Sequence, residues 1–133
     1  MTNQTTKSHV LEADLKIERL PGKAEGRSAG SAVGPFVFIA TVAHDRKAVF
    51  DDQVLDAFSR LEQQLEALGS SKLSLLSVTV YLADMAMKKR FDELWIIWIG
   101  ADQNHWPQRA CVAVTLAETT LVEIVTLALR GNA

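Results

Sequence analysis

The sequence predicts a mixed α/β domain, one sheet with two helices packed on one of its faces. Three observations carry that prediction. Two segments repeat apolar residues at helical spacing, the shorter runs between them alternate or are continuously apolar and β-branched, and the two kinds follow each other as strand, strand, strand, helix, strand, helix, strand, strand.

The elements are justified in chain order. Residues 1–14 show little hydrophobic periodicity and are expected to form a flexible N-terminal arm, leaving residues 15–133 as a single domain. A short extended segment around Leu15 to Leu20 ends at Pro21-Gly22. Ser28 to Ala43 reads as two strands around a turn at Gly34-Pro35, the second of them the apolar run Phe36 to Ala43. Val54, Phe58, Leu61, Leu65 and Leu68 then recur at alternating steps of four and three, which predicts a helix that Asp51 could cap and Gly69 end. After Ser70-Ser71-Lys72, the segment Leu75 to Leu82 alternates Val78, Val80 and Leu82 with Thr79 and Tyr81, as a strand does. Asp84 is a candidate cap for a second helix with the stripe Met87, Phe91, Leu94, Trp95 and Trp98, stopped by Gly100; those aromatics read as core. Cys111 to Leu116 and Leu121 to Leu129 are two further strands around a polar turn at Glu118-Thr119-Thr120.

Composition narrows the function classes. The chain has 133 residues, 48% of them apolar, enough for one real core. Its 14 basic and 16 acidic side chains leave a net charge of −2, so no electrostatic excess gathers phosphates, which argues against a nucleic-acid partner. One cysteine, Cys111, cannot form an intrachain disulfide, and His9, His44 and His105 do not have metal-ligand spacing. The lone cysteine and scattered histidines fit a reducing, cytoplasmic setting without metal, and the polar start with the lack of any run near the ~18 apolar residues of a membrane span predicts a soluble, unprocessed protein. Two helices cover only one sheet face, yet Cys111 to Leu116 carries little polarity on either side. The second face is therefore expected to be buried against another subunit.

Few residues stand out for chemistry. Arg109, after Pro107 and at the start of a strand, presents a planar fork that matches a carboxylate, although an ordinary salt bridge accounts for the residue type at least as well. Glu123 shares its strand side with Val125, Leu127 and Leu129, where a carboxylate is costly unless paired or near a solvated strand end. Arg27, among small residues between Gly26 and Gly30, could meet an anion. Cys111 reads as a packing residue before a nucleophile. Lys88-Lys89-Arg90 reads as a solvated helix face, and His44-Asp45 as turn residues before a proton-transfer pair. Gly26, Gly30 and Gly34 do not make a phosphate loop, since no helix start with Lys-Ser/Thr follows them.

Taken together, Pro107-x-Arg109-x-Cys111-Val112-x-Val114-x-Leu116 with Val122-Glu123-Ile124 and the final apolar strand resembles the Rid family (reactive intermediate deaminase, YjgF-type, also labelled endoribonuclease L-PSP). Leu65-Glu66-Ala67-Leu68-Gly69, Val78 to Met85 and Phe91-Asp92-Glu93-Leu94-Trp95 support it, and the resemblance spans roughly Arg27 to Arg130. It implies a chorismate-mutase-like fold and a homotrimer whose sheets form a central barrel, with sites in the clefts between subunits. It also implies cofactor-free hydrolysis of reactive enamines and imines, such as 2-aminoacrylate, to 2-keto acids and ammonia. By the same resemblance Arg109 would grip the substrate carboxylate, Glu123 would orient substrate or water, and the backbone carbonyl of Cys111 would hold that water. The chain departs from the family pattern at Ala40-Thr41-Val42, where Ser-Gly-Gln is typical, at Asp92, where a subgroup has asparagine, and at Arg27, near that subgroup's tyrosine. Ala40, Asp92 and Arg27 are therefore expected to line an altered pocket. The competing expectations are a non-catalytic trimer that binds small carboxylates, favoured by the hydroxyl lost at Ala40, and a ribonuclease or translation inhibitor, disfavoured by the acidic charge.

Overall fold

The computed structural model describes residues 15–131; the arm expected at residues 1–14 lies outside them. The strands are β1 (Ile17–Leu20), β2 (Gly30–Val33), β3 (Phe36–Thr41), β4 (Ser70–Leu82), β5 (Gln108–Ala113) and β6 (Val122–Arg130), and the helices are α1 (Phe50–Ala67) and α2 (Lys88–Ile99). All six strands form one sheet in the order β1-β2-β3-β6-β4-β5. Only the β4–β5 pair is parallel, as its crossover through α2 requires. Both helices lie on one face, so the mixed sheet and its one-sided helical layer are as the alternation of periodicities predicts.

The core sits between that face and the helices. Val54, Phe58, Leu61 and Leu65 of α1 are at most 2% exposed and meet Val37, Ile39, Val78, Val80, Ile124 and Ala128 of the sheet. Burying each large apolar side chain is worth about 1.5–3 kcal/mol. The aromatic stripe of α2 packs on α1: Phe58 stacks on Trp98 at 4.4 Å between ring centres and meets Phe91 edge-on at 5.8 Å.

Several boundaries differ from expectation, each for a local reason. The first helix begins two residues early, with Val49 rather than Asp51 at its cap and no side-chain cap; Asp51 lies inside the first turn, its carboxylate held by Arg90 of α2 at 2.6 Å. Asp84 does cap, but it caps a 3-10 turn (Met85–Met87) that leads into α2, by accepting from the Ala86 N–H. Strand β4 starts at Ser70 rather than Leu75, because irregularities between Ser70 and Ser77 interrupt the alternation without ending the pairing with β6. Strand β5 begins at Gln108 and stops at Ala113, which pairs with Leu82, the end of β4; residues 114–116 have no ladder to join beyond the single Val114 N–H to Leu82 carbonyl bond. Gly69 and Gly100 follow the two helices at φ of +84° and +87°, a conformation glycine adopts without strain.

Among the described residues nothing packs on the other sheet face, which is apolar. The registers put Ile17, Phe36, Phe38, Val125, Leu129 and Val112 on it, each 36–52% exposed. No helix among the described residues is long and apolar enough to cross a membrane.

Candidate functional site

The site is built where β5, the edge strand, passes under α2. Asp102 caps a 3-10 turn (Gln103–His105), and the Trp106 indole donates to the Gly100 carbonyl at 2.9 Å, which fixes the loop that delivers Pro107 to β5. Arg109 pairs with Val78, so its side chain points to the helical face. Its guanidinium carbon lies 5.3 Å from the Phe91 ring centre and 5.2 Å from that of Trp95, and its side chain is 17% exposed. Two ring faces hold a cation that is weakly hydrated enough to accept partial burial.

A carboxylate already meets that cation. Arg109 Nη2 donates to Asp92 Oδ1 at 2.5 Å, and Lys88 Nζ donates to the other oxygen, Oδ2, at 2.7 Å. Burial alone would raise the Asp92 pKa; the hydrogen bonds from Lys88 and Arg109, with their charges, outweigh it and hold the carboxyl below the usual range. Cys111, two residues along β5 on the same side, is half-buried, and burial pushes its thiol pKa up against the opposing pull of Arg109 and Lys88. That favours the thiol over the thiolate and agrees with packing rather than nucleophilic use. In a parallel ladder the backbone groups of alternate residues face alternate sides. The Val114 N–H reaches β4, so those of Arg109 and Cys111 face the open edge of the sheet.

The remaining expected residues are elsewhere in the chain. Glu123 pairs with Tyr81 and Ala40 with Val125, which puts both on the uncovered face, opposite to Arg109. Glu123 takes part in none of the ion pairs among the described residues. Thr41 does not restore the hydroxyl absent at Ala40: it is 2% exposed on the helical face and donates to Gln64 Oε1. Arg27 is exposed in the β1–β2 connection. Four strand spacings of about 4.8 Å each put β2 on the order of 20 Å from β5. One chain thus brings Arg109, Asp92 and Cys111 together and keeps Glu123, Ala40 and Arg27 apart from them.

Other groups are structural or newly visible. His44 pairs with Asp56 of α1 rather than Asp45, which instead accepts the Lys47 N–H within its turn. Lys88-Lys89-Arg90 is not a uniformly solvated face: Lys88 binds Asp92, and Arg90 binds Asp51 and Glu93. Lys88 is the member of the site that residue type alone missed; its i,i+4 spacing from Asp92 is the signal that finds it. Among the described residues no three His, Cys, Asp or Glu side chains converge as metal ligands do. The arrangement is an anion-competent guanidinium on an aromatic floor, with a carboxylate beside it and free backbone polar groups at the rim.

The model of the family described as Endoribonuclease L-PSP matches residues 26–130. The chain belongs to the endoribonuclease L-PSP (YjgF/Rid) family. A RutC family protein from Haemophilus influenzae is 31% identical over 78 residues, 58% of this chain and 66% of that protein's length. A YjgF-family structure from Neisseria meningitidis superposes with a TM-score of 0.80 at 24% identity, over 90% of this chain and 99% of that one. An uncharacterized protein from Pseudomonas aeruginosa superposes at 0.78 with 26% identity, covering 86% and 99%. The six-stranded sheet with two helices is therefore the L-PSP family fold, and the pattern around Arg109 lies within the matched span.

Proposed function

We propose that this L-PSP family protein hydrolyses reactive enamine or imine intermediates to 2-keto acids and ammonia. The observation that carries the reading is Arg109, a guanidinium held by Phe91 and Trp95 on the edge strand of the sheet, whose planar fork matches a small carboxylate. Tautomerisation of the enamine gives the imine, and protonation makes the C=N carbon electrophilic. Water adds to that carbon to give a carbinolamine, a proton passes from its hydroxyl to nitrogen, and ammonia leaves as C=O forms. Nothing but water is consumed, so the protein need supply only orientation and charge stabilisation.

The same reading includes assembly. The uncovered apolar face supports a homotrimer, and the separation of Arg109 from Glu123, Ala40 and Arg27 within one chain supports clefts completed by a neighbouring subunit. In such a cleft Arg109 binds the carboxylate, the Cys111 carbonyl and Glu123 hold the water, and Ala40, Asp92 and Arg27 shape the rest. A second reading, binding of small carboxylates without turnover, is favoured by Ala40, which offers no hydroxyl to the cleft. The net charge of −2 speaks against a nucleic-acid substrate. The deciding experiment generates imines in situ with an amino-acid oxidase across an amino-acid panel and follows their decay. Faster decay with the protein for at least one imine supports hydrolysis; no acceleration across the panel, with saturable 2-keto-acid binding, supports the binding reading instead.

A further inference from the structure

The deaminase reading gives Asp92 no role beyond shaping the cleft. For a pocket meant only for a carboxylate, a second carboxylate against the anchoring cation fixes the guanidinium at a cost. That second carboxylate competes for the guanidinium and repels the incoming anion. Yet Asp92 is held there from both sides, Oδ1 against Arg109 Nη2 at 2.5 Å and Oδ2 against Lys88 Nζ at 2.7 Å. The guanidinium in turn is confined between Phe91 and Trp95, so the two opposite charges are fixed side by side.

A fixed plus-minus pair is complementary to a molecule carrying a minus-plus pair at similar spacing. An α-iminium acid is such a molecule, because its carboxylate and its protonated nitrogen are on adjacent carbons. Guanidinium has five N–H donors, of which Asp92 takes one, and the rest can serve a ligand carboxylate. The carboxylate of Asp92 has two oxygens with several lone pairs, of which Lys88 and Arg109 use part. We infer that Asp92 receives the protonated nitrogen of the substrate while Arg109 takes its carboxylate, so that the site selects the zwitterionic iminium acid over neutral or purely anionic acids. This inference rests on the deaminase reading of the Arg109 site and names the protonation state it accepts. It also assigns Asp92 a part in the chemistry, since a carboxylate beside the nitrogen favours the protonated, electrophilic imine. The Asp92 carboxyl is ionised throughout the neutral range, as that role needs, because Lys88 and Arg109 overcome the effect of its burial.

Stable ligands test it without turnover. L-alanine and L-lactate differ in one substituent, ammonium against hydroxyl, so their ratio of dissociation constants, from titration calorimetry on the intact protein, isolates the nitrogen. The wild type should prefer alanine by about tenfold, a discrimination equal to one decade in Kd. In Asp92→Asn, which keeps shape and removes charge, the ratio should fall close to one, mainly through weaker alanine binding. An equal or lactate-favouring ratio in the wild type overturns the inference, as does a preference for alanine that survives in Asp92→Asn. Binding of neither ligand, or binding that Arg109→Ala leaves intact, overturns the anchor itself and with it the deaminase reading. Asp92→Ser repeats the comparison if the asparagine variant does not melt cooperatively.

Discussion

Arg109 is a cation held on unusual terms by its surroundings. It gives up most of its hydration to lie over Phe91 and Trp95, and it donates a charge-assisted hydrogen bond to Asp92. The fixed position is what a substrate would exploit. The bond also links the site to pH. Because the Asp92 pKa is depressed in the folded protein, its contribution is complete above the unfolded-state value of about 3.9 and is lost as pH falls through the lower folded value. Replacing Asp92 by Asn should cost about 1 kcal/mol at neutral pH, a modest figure because the side chain is 32% exposed and water screens it. Thermal melts from pH 7 downward check this: the gap between wild type and Asp92→Asn should be full at neutral pH and narrow as pH falls below the unfolded-state value, and a gap that does not change with pH would contradict the assigned charge. Residue type in the sequence pointed to Arg109, and the family resemblance to Asp92, but neither pointed to their contact, because a hydrogen bond between an edge strand and a helix leaves no periodic trace. Lys88 was hidden for the opposite reason: a basic run at a helix start describes solvated faces just as well.

At the scale of elements, the strongest signals were those that a buried face imposes. The α1 stripe from Val54 to Leu68 and the α2 stripe from Phe91 to Trp98 were readable because each must meet the same sheet at 3.6-residue spacing. The start of β4 and the limits of β5 were not: irregularities between Ser70 and Ser77 mask the alternation where β4 begins, and β5 stops where its partner β4 ends, at Leu82. Gln53 was missed altogether. It is 1% exposed on α1, its Nε2 lies 3.0–3.1 Å from the carbonyls of Arg46, Ala48 and Thr119, and its Oε1 accepts from the Leu121 N–H at 3.0 Å. One amide thus joins the β3–α1 connection to the turn before β6, where no backbone ladder is available to satisfy those groups. Gln53→Ala leaves them buried without partners, and urea unfolding should show a loss of about 2–4 kcal/mol. A loss below about 0.5 kcal/mol, the usual range for surface changes, would mean the two loops are held by other contacts.

For the whole molecule, the sheet is the organising fact. Its helical face was predictable from pattern and is filled by the core; its other face carries Phe36, Phe38, Val125 and Leu129 in the open. An apolar face this continuous is unusual on a protein that works alone. Phe38→Glu, at the middle of β3 on that face, should convert the proposed oligomer to monomer by light scattering at micromolar concentration while preserving the far-ultraviolet spectrum. A wild-type monomer would contradict the proposed assembly outright. The same geometry separates half of the expected site residues from Arg109: Glu123 and Ala40 lie across the sheet and Arg27 several strands away, so the register of one chain does not bring them together. The account therefore turns on Arg109. Imine decay, with imines generated in situ by an amino-acid oxidase, should be compared for wild type and Arg109→Ala at matched oligomeric state. The account predicts acceleration by the wild type and none by the variant, with the oligomer intact; equal acceleration by both would contradict it.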